Sequence, residues 1–76
     1  MNTVLTSQKG DKLKIKKLHT TGDLRQRLIS FGIIKGAEIK ILGYSTNKST
    51  IEIKVAKMTI ALRSSEADKI EVESYE

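Results

Sequence analysis

Between Leu24 and Leu42 the chain reads LRQRLISFGIIKGAEIKIL, and its apolar spacing changes from helical to strand-like across two glycines, Gly32 and Gly36. Leu24, Leu28 and Phe31 recur at i, i+4 and i+7, the spacing of one helix face. From Ala37 the period is two, with Ile39 and Ile41 on one side and Glu38 and Lys40 on the other. No room remains between them for another helical turn. A left-handed Gly32 ending the helix in a Schellman motif makes Ile33 the C″ residue and Leu28 the C3 residue, the pair expected to touch. Gly36 suits a turn position that needs positive φ.

The rest of the chain supplies short strands. LKIKKL (Leu13–Leu18) alternates at Leu13 and Ile15 and then slips phase before Leu18, which predicts a bulge near Lys16 and Lys17. Thr20 and Asp23 form a Thr-x-x-Asp pattern that predicts a capping box at the helix start. GYSTNKST (Gly43–Thr50) reads as a loop. IEIKV (Ile51–Val55) and TIALR (Thr59–Arg63) read as strands with a tight connection at Ala56–Met58. SSEAD (Ser64–Asp68) reads as one helical turn capped by Ser64 or Ser65, and KIEVE (Lys69–Glu73) as the last strand. Strands this short expose their edges unless the sheet closes on itself. The expected fold is mostly β: a small SH3-like barrel of about five strands, with one inserted α-helix and a short helical turn before the last strand. Residues 1–76 form one domain. Its core is predicted to hold Leu13, Ile15, Leu24, Leu28, Phe31, Ile39, Ile41, Ile51, Ile53, Val55, Ile60, Leu62, Ile70 and Val72.

Several function classes lose support at once. With no cysteine, disulfides and thiolate metal sites are closed. No Walker-type phosphate loop and no G-x-S-x-G elbow occurs, so the chain is not expected to be an enzyme. MNTVLTSQKG lacks the apolar segment of a signal peptide, and no apolar run is long enough to span a bilayer. A cytoplasmic protein is expected.

Charge is uneven. Residues 1–40 carry nine Lys/Arg against three acids, whereas residues 41–76 carry five against six. That asymmetry points to an acidic partner or nucleic acid, but the only aromatics are Phe31, Tyr44 and Tyr75, scattered along the chain. Stacking on single strands needs more of them. For a transition metal the soft or borderline donors are His19, Met1 and Met58, and a hard cation has Asp23, Glu66 and Asp68. His19 and Asp23, four apart, are weak candidate ligands, and two ligands do not make a dedicated site. On the helical wheel Arg27 flanks the apolar stripe and is expected to pair with a carboxylate. Arg25 and Ile29 lie off that stripe, an arginine beside an apolar residue, as in interface hot spots.

These segments resemble the small FeoA-type ferrous iron transport family. The unit from Leu24 to Leu42 matches its helix–glycine–strand frame, ALRSSEADKIEV (Ala61–Val72) resembles its ending, and LKIKKL fits its first strand. The resemblance covers nearly the whole chain in the right order. It implies an SH3-like barrel and a cytoplasmic accessory role in ferrous iron uptake. The implied partner is a membrane permease with a cytosolic GTP-binding domain. It also implies weak transition-metal binding, by likeness to the C-terminal domain of metal-dependent repressors. Two departures stand out: Ala56, Lys57 and Met58 replace a turn glycine, and Lys35 stands where the family often has proline. Two alternatives stay open, a small basic nucleic-acid-binding barrel and a metal-sensing domain. The leading reading is protein contact with the permease through Arg25 and Ile29, with no nucleic acid and no tightly held cofactor.

Overall fold

The computed structural model describes residues 2–74. Five strands, β1 (Lys12–Leu18), β2 (Glu38–Tyr44), β3 (Thr50–Val55), β4 (Met58–Arg63) and β5 (Ile70–Ser74), form one antiparallel sheet in the order β4-β3-β2-β1-β5. Helix α1 (Gly22–Ser30) is inserted between β1 and β2, and the one-turn helix α2 (Ser64–Ala67) precedes β5. A 3-10 turn, Val4–Thr6, comes before β1. A flat sheet of this size would be far thinner than it is wide, but the molecule measures 29 × 28 × 27 Å. The sheet is rolled around its core as an SH3-like barrel, with edge strands β4 and β5 not hydrogen-bonded to each other.

Alternation sorts the strand residues as expected. Leu13, Ile15, Ile39, Ile41, Ile51, Ile53, Val55, Ile60, Leu62, Ile70 and Val72 are all buried. In α1 only Leu28 is fully buried; Leu24 and Phe31 are partly exposed and rest against the edge of the core. The short helix enters the core at its C-terminal end, where the chain turns inward to Ile33. Val4, Ile33 and Ala67 complete the core. None of the three lies on a periodic stripe of the sequence.

The junction after α1 is fully hydrogen-bonded. Gly32 has φ +87°; its N–H donates to Ile29 O at 2.9 Å, and the Ile33 N–H donates to Leu28 O at 3.0 Å. That is the Schellman pair of bonds, and the two side chains it brings together, Leu28 and Ile33, are both completely buried. Gly36 has φ +88° and the Ala37 N–H donates to Ile34 O at 3.0 Å, a type II turn with Lys35 at i+1. Proline is favoured at i+1 only because it pre-sets a φ that lysine also reaches, so Lys35 leaves the turn intact. The Gly36 N–H then donates to Ile15 O at 2.7 Å, sewing the turn onto β1.

Local details differ from the sequence reading in three places. The Thr20–Asp23 capping box does not form: α1 begins after Thr21, and no side chain caps it. Neither Ser64 nor Ser65 caps α2; its N-cap is Arg63, whose N–H donates to Glu66 Oε1 at 3.0 Å. A second bulge, between Ile41 and Gly43, carries β2 through Tyr44, so the loop shortens to residues 45–49. The predicted bulge in β1 is present between Ile15 and Lys17. Across from it, the Glu71 carboxylate meets His19 Nε2 at 2.6 Å and Lys16 Nζ at 3.6 Å, fastening β5 to the end of β1.

Three outcomes follow from this geometry. A Cβ on Gly32 would meet Val55 Cγ1 at an ordinary 3.5 Å, so Gly32→Val costs stability through its left-handed backbone, about 1–2 kcal/mol. Unchanged denaturant midpoints would refute that. Ala56 holds φ +55° at the first position of the two-residue β3–β4 turn, where glycine is at ease. Ala56→Gly should stabilise by roughly 0.5–1 kcal/mol, because about 1–2 kcal/mol of left-handed strain outweighs the roughly 0.5–1 kcal/mol entropic cost of glycine.

The third concerns acid. The hydrogen bond from His19, ahead of the Lys16 charge, holds the Glu71 carboxyl below its ordinary value of 4.5. Its contribution to stability is complete above that value and is lost as pH falls through the lower folded one. Glu71→Gln should therefore melt below the parent at pH 7, with the gap closing under strong acid. A gap constant with pH would exclude the carboxylate charge as the cause.

Candidate functional site

The bulge in β1, the helix and the type II turn together build one groove of about 630 Å³. A bulge places two residues against one on the partner strand, and here consecutive Lys16 and Lys17 are both exposed. Arg25 and Ile29, four apart on α1, share a face. Ile34 and Lys35 arrive from the turn. Two isoleucines follow the cap glycine; Ile33 enters the core, and Ile34 is left 47% exposed.

The groove is lined by Lys16, Lys17, Arg25 and Lys35, together with apolar Leu18, Ile29 and Ile34, and no carboxylate lines it among the described residues. Lys16 is its most compensated cation, through Glu71 at 3.6 Å, yet its side chain stays 59% exposed. Arg25 and Ile29, singled out from the helical wheel, thus meet in one cleft. Ile29 is half-buried and does not pack against the core. The remaining lining residues went unnoticed in the sequence, although the Lys16–Lys17 phase slip and the doubled isoleucine were their signals.

Arg27 takes a different part. It donates to Glu66 Oε2 while the other oxygen of Glu66 accepts the Arg63 N–H, so one carboxylate links α1, β4 and α2. The metal candidates are not brought together. His19 faces Glu71, whereas Asp23 is exposed on the first turn of α1 without an ion pair. Among the described residues no three His, Asp or Glu side chains group as a metal site. Glu66 is engaged by Arg27, and Met58 is 47% exposed at the β3–β4 hairpin. Met1 and Tyr75 lie outside the described residues.

The aromatics form no platform. Phe31 and Tyr44 are partly buried against the core, and Lys48 Nζ lies 6.0 Å from the centre of the Tyr44 ring. Burial, with a smaller effect from Asp11, pushes the Tyr44 hydroxyl up in pKa.

Comparison with known proteins places this architecture. The FeoA domain model matches residues 3–74. A Campylobacter jejuni protein provisionally named Fe(2+) transport protein A is 38% identical over 63 residues, 83% of this chain and 85% of that protein. A Helicobacter pylori protein of the same provisional name is 43% identical over 44 residues, 58% of each chain. Among solved structures, iron(II) transport protein A from Clostridium thermocellum superposes with a TM-score of 0.92 at 33% identity, over 96% of this chain and 45% of that one. The apo form of the manganese-activated repressor ScaR gives a TM-score of 0.85 at 25% identity, over 96% of this chain and 35% of the repressor. The chain thus spans less than two thirds of several of these relatives. With a family match running from Thr3 to Ser74, the chain belongs to the FeoA domain family.

Proposed function

We propose that this protein is a small accessory component of ferrous iron uptake, working on the cytoplasmic side by contact with a membrane iron permease that carries a GTP-binding domain. The observation that carries this reading is the groove at Arg25 and Ile29, which joins four cations and three apolar side chains with no acid. Such a surface fits an acidic segment with apolar anchors: desolvated apolar contact supplies affinity, and the charges supply orientation and encounter rate. The membership in the FeoA family and the Fe(2+) transport names of its relatives supply the transport context. No described helix is long and apolar enough to cross a membrane.

The protein contributes binding and no catalysis of its own. Ferrous or zinc ions bind weakly, without a dedicated cofactor site. His19 and Asp23 remain the weak candidate ligands, and a metal at His19 must displace the 2.6 Å contact with Glu71.

The test is binding to the permease's cytosolic GTP-binding portion by calorimetry, with folding checked by thermal melts. Arg25→Ala and Ile29→Ser should each weaken the complex about tenfold or more while leaving the fold intact. If both folded variants bind like the parent, this groove is not the docking surface.

A further inference from the structure

In a two-residue hairpin the residues flanking the turn form a hydrogen-bonded pair. Val55 and Met58 flank Ala56–Lys57, so bonded pairs with β3 recur at Ile60 and Leu62. The phase continues past the strand, where the Ser64 N–H donates to Ser49 O at 2.9 Å. By alternation the N–H and C=O groups of Thr59, Ala61 and Arg63 point away from β3. β4 is the last strand of the sheet; the Arg63 N–H is taken by Glu66 Oε1 at 3.0 Å as α2 begins, which leaves Thr59 and Ala61 as the residues whose outward backbone groups no described group answers.

The opposite edge is treated differently. There the Val72 N–H donates to Asn2 O at 2.9 Å and Thr3 bridges Glu71, so the N-terminal segment covers β5. Edge strands are ordinarily blunted by proline, a bulge or a lysine. β4 has none of these: the chain contains no proline, the register runs unbroken from Val55↔Met58 to Thr50↔Arg63, and Met58–Leu62 carries no charge. Beside this edge lies a shallow groove of about 480 Å³, where Phe31, the residue after α1, joins Met58 and Ile60 as apolar lining and the Arg27–Glu66 pair closes one end. Phe31 and Met58 also border an adjoining hollow of about 570 Å³.

We propose that β4 is a strand-addition site for an extended segment of a partner protein. The segment pairs with the outward backbone groups of Thr59 and Ala61, rests alternate apolar side chains against Phe31 and Met58, and brings acidic residues to the Lys57 and Arg63 side chains at its ends. Unpaired strand edges recruit extended backbone, and flanking pockets read every second side chain. Charge at the two ends favours a foreign acidic segment over a second copy. Self-pairing about Ile60 sets Lys57 opposite Arg63 twice, and like charges directly opposite destabilise a pair. The inference stands on strand geometry and does not depend on the groove at Arg25.

The probe is the peptide acetyl-Asp-Val-Thr-Val-Thr-Val-Asp-amide, titrated into the full chain and followed by amide NMR with hydrogen exchange. Saturable binding is expected, with the Thr59 and Ala61 amides gaining protection. Thr59→Pro deletes one outward donor and no bond to β3, a placement that edge strands accept. It should weaken binding at least tenfold while the melting curve stays cooperative. A peptide N-methylated on the amides that face β4 should lose binding to the unaltered chain by a similar factor, which decides the matter should the proline variant fail to fold. The proposal is overturned by no saturable binding at millimolar peptide, by protection confined to residues outside β4, or by sedimentation showing that β4 is occupied by a second copy.

Discussion

The Schellman junction that joins Leu28 to Ile33 through the Ile33 N–H and Leu28 O is the interaction on which the rest of the structure rests. Both side chains are completely buried in one core cluster, and Gly32 supplies the left-handed residue that turns the chain inward between them. Helix α1 has no side-chain cap at its start, and it buries one residue fully. Nine residues are too few to hold a helix in water by propensity alone. Its C-terminal anchor therefore fixes both its existence and its direction. That direction sets Arg25 and Ile29 beside β1 and turns Arg27 toward Glu66. One glycine thus divides two arginines, two residues apart in sequence, between a groove and a structural ion pair.

The uneven charge of the chain acquires a spatial meaning through the same anchor. Of the nine cations before residue 41, Lys16, Lys17, Arg25 and Lys35 converge on one groove. Others are spread over the outer face of the sheet, where Lys14 lies opposite both Glu38 and Glu73. The concentrated group has apolar floor and no aromatic platform, which suits a folded or extended protein segment better than single-stranded nucleic acid. Its exposed cations are screened by salt over roughly 8 Å at physiological ionic strength, so they govern encounter more than residence. In the proposed docking, Leu18, Ile29 and Ile34 are the side chains that would hold what has arrived.

Much of this was legible in the sequence because the signals were periodic. Each strand core was readable from two-residue alternation, and the β1 bulge from a single phase slip. The glycine cap was legible because only five residues separate the end of the helix face at Phe31 from the start of the strand period at Ala37. What escaped had no period. Val4 belongs to a 3-10 turn too short to repeat, Ala67 is too small to register as apolar, and the β2 bulge at Leu42 was masked by the glycine and loop residues after it. The Thr20–Asp23 pattern misled because capping depends on the backbone entering the helix one residue later, at Thr21. For the groove, the helical wheel found Arg25 and Ile29, but its other wall comes from β1 and the turn, which local spacing cannot bring together.

The two exposed surfaces differ in the physics by which each can hold a partner. The groove discriminates by charge and shape, because its cations and apolar side chains have fixed identities. The β4 edge offers backbone groups that every residue except proline can answer, and its selectivity reduces to the pocket at Phe31 and Met58. An edge of this kind is weak alone, since only Thr59 and Ala61 present free outward backbone groups. When one partner reaches both surfaces, the second contact becomes intramolecular and its effective concentration rises to the millimolar range for a short linker. A weak strand edge then contributes to residence without creating a strong, indiscriminate binding site on the free protein. A lysine within Met58–Leu62 would blunt this edge, and the sequence places none there.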